Sequence, residues 1–116
     1  MTRSPQETFS DHVRALGSGD LDAIAADFAP DAVLLTPAGV LHRREGVKQG
    51  IGGVLADLPN ARWKPGTPVF TDDVMLLEWA ADADGARVEG GVDTLFRDGL
   101  IRAQTVRYTL LTEPTA

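Results

Sequence analysis

EGGVDTLFRDGLIRAQTVRYTLL, the stretch from Glu89 to Leu111, decides the fold. Two runs rich in β-branched and aromatic residues flank Asp98-Gly99, a dipeptide that favours the tight turn of an antiparallel hairpin. Thr94, Leu95 and Phe96 lead into the turn, and Val106, Tyr108, Leu110 and Leu111 follow it. Polar side chains sit inside both arms: Asp93 between Val92 and Thr94, and Gln104 between Ala103 and Thr105. A carboxylate among sheet-forming apolar residues lies either on a solvated face or in a pocket, and that choice bears directly on function.

Working outward, 116 residues suffice for one domain, expected to span residues 1–116, with one core. The 43% hydrophobic content suits a globular chain rather than a disordered one. The net charge of -6 and the absence of a basic cluster (Arg43, Arg44 and Lys48 are interrupted by Glu45) exclude nucleic acid as the expected partner. With no cysteine there is neither a disulfide framework nor thiol chemistry. No apolar leader or long apolar run is visible, so a cytoplasmic location without a membrane span is the expectation.

The N-terminal third reads as helical. Ser4-Pro5-Gln6-Glu7 has the form of a capping box with proline at the first helical position, and Phe9, Val13 and Leu16 recur at helical spacing. This spacing predicts a helix ending near Gly17, with His12 at the edge of its apolar stripe. A second helix is predicted from Asp20 to Phe28, where Leu21, Ile24, Ala25 and Phe28 make the apolar side. Ala32–Thr36 reads as a short strand, Pro37-Ala38-Gly39 as its turn, and Val40-Leu41 as its return. A third helix is expected over about Glu45 to Ala56, although Gly50, Gly52 and Gly53 each cost roughly 1 kcal/mol there. Either this helix ends early or another part of the chain passes close to those glycines.

From Leu58-Pro59 onward the signals are strand-like: Ala61–Lys64, then Val74–Ala81, a turn at Asp82–Gly85, and the closing hairpin. Helices followed by an antiparallel meander make an α+β pattern. Side-chain alternation puts Met75, Leu77 and Trp79 on one face, and Gln104, Val106, Tyr108 and Leu110 on one face of the last strand. Joined, these faces form a cup of aromatic and aliphatic groups with a few polar ones, the composition of a small-molecule pocket. Val74, Leu76 and Leu111 would lie outside, and this apolar excess predicts a homodimer through the outer face.

Three segments carry a resemblance to a known family: GDLDAIAADFAPDAVLLTPAG (Gly19–Gly39), GVLHRREGVKQGI (Gly39–Ile51) and FRDGLIRAQTVRYTL (Phe96–Leu110). In order and extent the chain resembles the NTF2-like superfamily, most closely its SnoaL-like branch. That resemblance implies a cone, with three N-terminal helices packed on a curved antiparallel sheet. It implies function less sharply, because the superfamily holds ketosteroid isomerases, polyketide cyclases, epoxide hydrolases and proteins without chemistry. The isomerases' carboxylate base, just before a proline, falls at Thr36, which carries no carboxylate. Their helix tyrosine falls at His12, and their acid donor at Val92 or Asp93, with Asp93 expected to face the cavity.

The candidate catalytic residues are therefore Asp93, as base or orienter, and His12, as a donor able to titrate near neutrality. Thr36, Trp79, Gln104 and Tyr108 are the candidate ligand-binding residues, the aromatic pair as walls and Gln104 as a polar anchor. Each has a plainer reading, as packed core or as a turn-binding group. His12 and His42 do not form a recognised metal spacing, and no phosphate-binding glycine motif follows a strand, so neither metal nor cofactor is expected. Glu78 should face outward, paired with Arg107 or Arg87. The function these readings favour is proton transfer on an apolar carbonyl compound; the alternative is a non-catalytic binding or assembly module.

Overall fold

The computed structural model describes residues 2–83 and 86–112; Asp84 and Gly85, half of the turn expected at Asp82–Gly85, lie outside the described residues. Helix α1 (Pro5–Ser18) starts at the expected box: the Glu7 amide donates to Ser4 Oγ at 3.1 Å, and the Ser4 amide to Glu7 Oε1 at 2.9 Å. It ends at Gly19 in the left-handed region rather than at Gly17. Its inward face also differs from the expected one. Thr8 and His12, four residues apart, are buried, whereas Val13 is 44% exposed. The Thr8 hydroxyl donates to the Gly99 carbonyl at 2.8 Å, so a polar tie to the hairpin turn helps set the rotation of the helix.

Asp20 caps α2 (Leu21–Ala26) by accepting from the amides of Asp22 and Ala23. Phe28 does not continue this helix; it opens β1 (Phe28–Thr36), earlier than the pattern predicted. The extra length crosses a register shift between Phe28 and Val33, which holds Pro30 where no ladder hydrogen bond is required of it. β1 turns into β2 (Gly39–His42) as expected and then into α3 (Arg43–Asp57). α3 does not end at its glycines. A Cβ on Gly50 would come within 2.5 Å of Leu34 Cδ2 and 2.8 Å of Leu41 Cδ1, so here the missing side chain lets the helix lie against β1 and β2.

Short strands β3 (Arg62–Pro65) and β4 (Val69–Thr71) precede the long meander of β5 (Val74–Ala83), β6 (Ala86–Arg97) and β7 (Leu100–Thr112). The sheet order is β2-β1-β7-β6-β5-β3, with β4 also on β5. The resemblance implied an antiparallel sheet, but the β1–β7 pairing is parallel because β1 arrives from α2 instead of from a hairpin. The result is α+β: three helices on a curved, open, mixed sheet. The core between them contains Ile24, Phe28, Leu34, Val47, Met75, Phe96 and Ile101. No described helix is long and apolar enough to cross a membrane.

One irregularity controls the site. The turn pairs Arg97 with Leu100 and Phe96 with Ile101, and the register then shifts by one, so Leu95 meets Ala103. Arg102 is the extra residue of a β-bulge. A regular hairpin would have set Asp93 opposite Gln104; the bulge sets Thr94 there instead.

Candidate functional site

The inner face of the sheet follows from this register. Leu34, Gln104, Thr94 and Met75 lie opposite one another across β1, β7, β6 and β5. Gln104 and Thr94, each 2% exposed, are thus a polar pair inside an apolar row, with Gln104 Nε2 donating to Thr94 Oγ1 at 3.2 Å. Val92, Val106 and Leu77 form the next row, and Gly90, Tyr108 and Trp79 the one beyond. Tyr108 and Trp79 accordingly share the inner face, as their alternation predicted.

His12 reaches the core from α1. It is 3% exposed and stands edge-on to Phe28, with ring centroids 5.4 Å apart. Its Nδ1 is buried without a hydrogen-bond partner among the described residues. Burial pushes its pKa from 6.5 down to about 4, against a weaker opposing pull from the Asp27 charge. The residue expected to titrate near neutrality is therefore a neutral imidazole at pH 7, offering one donor and one acceptor. No described hydrogen bond joins it to Gln104.

Asp93 is on the other side of the sheet, which corrects the expectation that it faces the cavity. It lies opposite Thr105 and Leu76 on the outer face, accepting from the Thr105 hydroxyl at 3.2 Å while its own amide donates to that hydroxyl at 3.1 Å. Alternation along β6 puts Asp93 on the face opposite to inward Thr94 and Phe96, and the bulge at Arg102 on β7 brings Gln104 to the inner face beside Thr94 instead of beside Asp93. Thr36 serves its own turn: Oγ1 donates to the Gly39 carbonyl at 3.1 Å and accepts from the Ala38 amide at 3.2 Å. Glu78 faces outward, but the expected pair with Arg107 or Arg87 is not formed; Arg87 binds Glu89 instead. His42 stands exposed at the start of α3 and makes no side-chain cap.

Two residues missed by the sequence reading join Trp79 and Tyr108. Trp63 on β3 stands edge-on to Trp79 at 5.2 Å, and Trp79 lies 6.1 Å from Tyr108. The Tyr108 hydroxyl donates to Asp57 Oδ2 at 2.9 Å, linking the end of α3 to β7. Partial burial, followed by this bond to a carboxylate, raises the Tyr108 pKa. Side-chain alternation would have identified Thr94 once the bulge was known, but no local signal marked Asp57. Among the described residues, no group of three His, Cys, Asp or Glu side chains is placed to hold a metal ion. An open depression of about 460 Å³, lined by Lys64, Gly66, Glu78, Trp79, Glu89, Gly90 and Arg107, does not reach His12 or Gln104.

A family model for the SnoaL-like domain matches residues 9–104. The chain belongs to the SnoaL-like family. Solved structures show that this SnoaL-like chain has a widely shared fold. It is similar to IdmH, a candidate polyketide cyclase from Streptomyces antibioticus (TM-score 0.76, 23% identity, covering 91% of this chain and 92% of that one). It is similar to an NTF2-like protein of unknown function from Cytophaga hutchinsonii (0.75, 10%, covering 94% and 93%). It also resembles TerC, co-crystallised with polyporic acid (0.78, 15%, covering 90% and 91%). At these identities the likeness establishes the fold alone. No curated protein matches the sequence.

Proposed function

We propose that this SnoaL-like chain binds a small, largely apolar carbonyl compound between α1 and the inner sheet face, with His12 as the proton-transferring group. The observation that carries this reading is the unpartnered, buried Nδ1 of His12. A polar atom enclosed without a partner costs about 1–3 kcal/mol, and the polar group of a bound molecule would remove that cost. Gln104 is the second polar contact offered by the same face, with Val92, Val106 and Leu77 as apolar wall. The likeness to IdmH and TerC supports a small-molecule role. Asp93 has no part in this reading, and Thr36 contributes to the shape of its turn rather than to the ligand.

The test is deuterium exchange at the α-carbon of 2-tetralone, an apolar ketone, followed by NMR. Wild-type protein is expected to exceed the buffer rate, with the excess constant from about pH 8 to about pH 5 and falling toward pH 4 as the imidazole protonates. His12→Phe should abolish the excess while retaining the fold by circular dichroism. Saturable binding without exchange would leave a binding protein and remove the catalytic role. Neither binding nor exchange would refute both.

The second reading, assembly as a homodimer, rests on the outer face. Val40, Leu35, Thr105, Asp93, Leu76 and Val69 lie opposite one another in a continuous row across the sheet. The apolar members are exposed, Leu76 by 48%, and Leu95 and Val74 extend the patch. The one charge in the row is already bonded to Thr105, which lowers the cost of covering it. A two-fold contact of this face with itself is the occupant proposed. Light scattering should give twice 12.4 kDa for wild type and 12.4 kDa for Leu76→Arg. A wild-type monomer at every concentration would reject it.

A further inference from the structure

We propose that α1 is a hinged lid over His12, pivoting at Ser18-Gly19 and latched at its other end by Arg3. This deepens the reading of an interior ligand site at His12 and rests on it only for what the lid admits; hinge and latch need no ligand.

The interior is closed. His12, Thr94 and Gln104 are all buried, and the open depression at Lys64 and Arg107 stops short of them. A bicyclic ketone cannot pass such a surface unless part of the wall moves. The weakest hold is on α1. Its fully buried residues, Thr8 and His12, are both polar, while Phe9, Ala15 and Leu16 are only partly buried and Val13 faces water. Lifting the helix therefore exposes little apolar surface and returns the unpartnered Nδ1 of His12 to water. Among the described residues no main-chain hydrogen bond joins α1 to the sheet, whereas continuous ladders bind β5, β6 and β7 together. Elements held in this way are the ones that open locally while the rest of a fold stays intact.

Hinge and latch lie at opposite ends of the helix. At the C-terminal end the chain passes into α2 through Gly19, in the left-handed region at φ 70°, where a Cβ would meet nothing within 4 Å. The joint is free of packing and can take up a rotation. At the other end the bonds to the rest of the molecule converge on the β6–β7 turn. The Thr8 hydroxyl and Arg3 Nη2 both donate to the Gly99 carbonyl, at 2.8 and 3.0 Å, and Arg3 Nη1 donates to Asp27 at 2.9 Å. Phe9 closes the seam against β4, edge-on to Phe70 with ring centroids 6.0 Å apart.

Diethyl pyrocarbonate at about pH 7 reads the opening without a ligand, because it acylates neutral imidazole, the form His12 holds there. The chain has two histidines, and exposed His42 is the internal reference. Mass spectrometry should show His12 modified about a hundredfold more slowly than His42, at a rate nearly flat in low urea, as a local opening requires. Arg3→Met should speed His12 about thirtyfold, and Thr8→Val, which keeps the shape and loses one latch bond, about fivefold. Both variants should leave His42 unchanged and keep the flat urea response; an Arg3 that only stabilises the whole fold would give a steep one. Bound 2-tetralone should slow His12 alone. A wild-type His12 rate that climbs steeply from the lowest urea would show that only global unfolding reaches it and would overturn the lid. Equal rates at His12 and His42 would overturn it too, by showing a site open without movement, and an Arg3→Met rate equal to wild type would overturn the latch. A flat urea response with faster variants, but no protection by 2-tetralone, would uphold the lid and refute the interior ligand.

Discussion

Acidification from about pH 7 to about pH 4 is expected to cost the fold about 3 kcal/mol at His12 alone. In the unfolded chain this imidazole takes up a proton near its ordinary pKa of 6.5, whereas in the core it stays neutral down to about 4. Between these values the unfolded state binds more protons, so stability falls as pH falls. The loss begins near pH 6.5, reaches about 1.4 kcal/mol at about pH 5.5, and levels off below pH 4. The cause is local: an edge-on phenyl ring and no hydrogen-bond partner at Nδ1 leave little to solvate an imidazolium. The carboxylates with lowered pKa values, Glu7, Asp11 and Asp82, lose their bonds below the ordinary carboxylate range, a more acid window. Urea unfolding of wild type and His12→Leu across this range separates the two. The variant should be nearly flat from pH 6.5 to 4, and a variant curve parallel to wild type would show that His12 ionises freely in the fold.

Arg3→Met is expected to destabilise the protein by about 2–3 kcal/mol, a large effect for a residue so near the N-terminus. Arg3 Nη1 donates to Asp11 Oδ2 and Asp27 Oδ1, both at 2.9 Å, and Nη2 donates to the Gly99 carbonyl at 3.0 Å. One guanidinium thus ties α1, the end of α2 and the β6–β7 turn. Asp27 is buried, so loss of its partner leaves a carboxylate without compensation. The same substitution acts on His12. With Arg3 gone, the Asp27 charge is no longer neutralised and favours the imidazolium more strongly, so the His12 pKa should rise. An NMR titration of the His12 ring proton reads that rise directly, and urea unfolding reads the stability. If stability is unchanged and the His12 midpoint does not move, the strap is a surface contact only.

Much of the candidate site was legible as residue types but not as positions. Gln104 and Tyr108 share a face of β7, and Trp79 shares one of β5 with Met75 and Leu77, because alternation within a single strand is a local property. Asp93 failed because its relation to Gln104 depends on the register between two strands, and one extra residue at Arg102 changes which partner each side chain meets. His12 was correctly placed on α1, but its depth was not. Helical spacing pointed to Phe9, Val13 and Leu16, while the Thr8 hydroxyl on Gly99 and the edge of Phe28 belong to other parts of the chain. Burial is also what moved His12 from a group titrating near neutrality to one that is neutral at pH 7.

By itself the sequence determined what is encoded within a few residues. The Ser4–Glu7 box started α1, Asp98-Gly99 turned the final hairpin, the order of helices and strands specified an α+β fold, and the resemblance of Gly19–Gly39, Gly39–Ile51 and Phe96–Leu110 pointed to the SnoaL-like family. Capping bonds, turn dihedrals and strand alternation are short-range interactions, so they can be read along the chain. Tertiary structure alone decided the parallel β1–β7 pairing, the glycine contact that lets α3 run on past Gly50, the bulge that sets Gln104 against Thr94 instead of Asp93, and the sealing of His12. Each depends on packing between residues distant in sequence, where close contact and exclusion of water set the outcome and no local pattern records it.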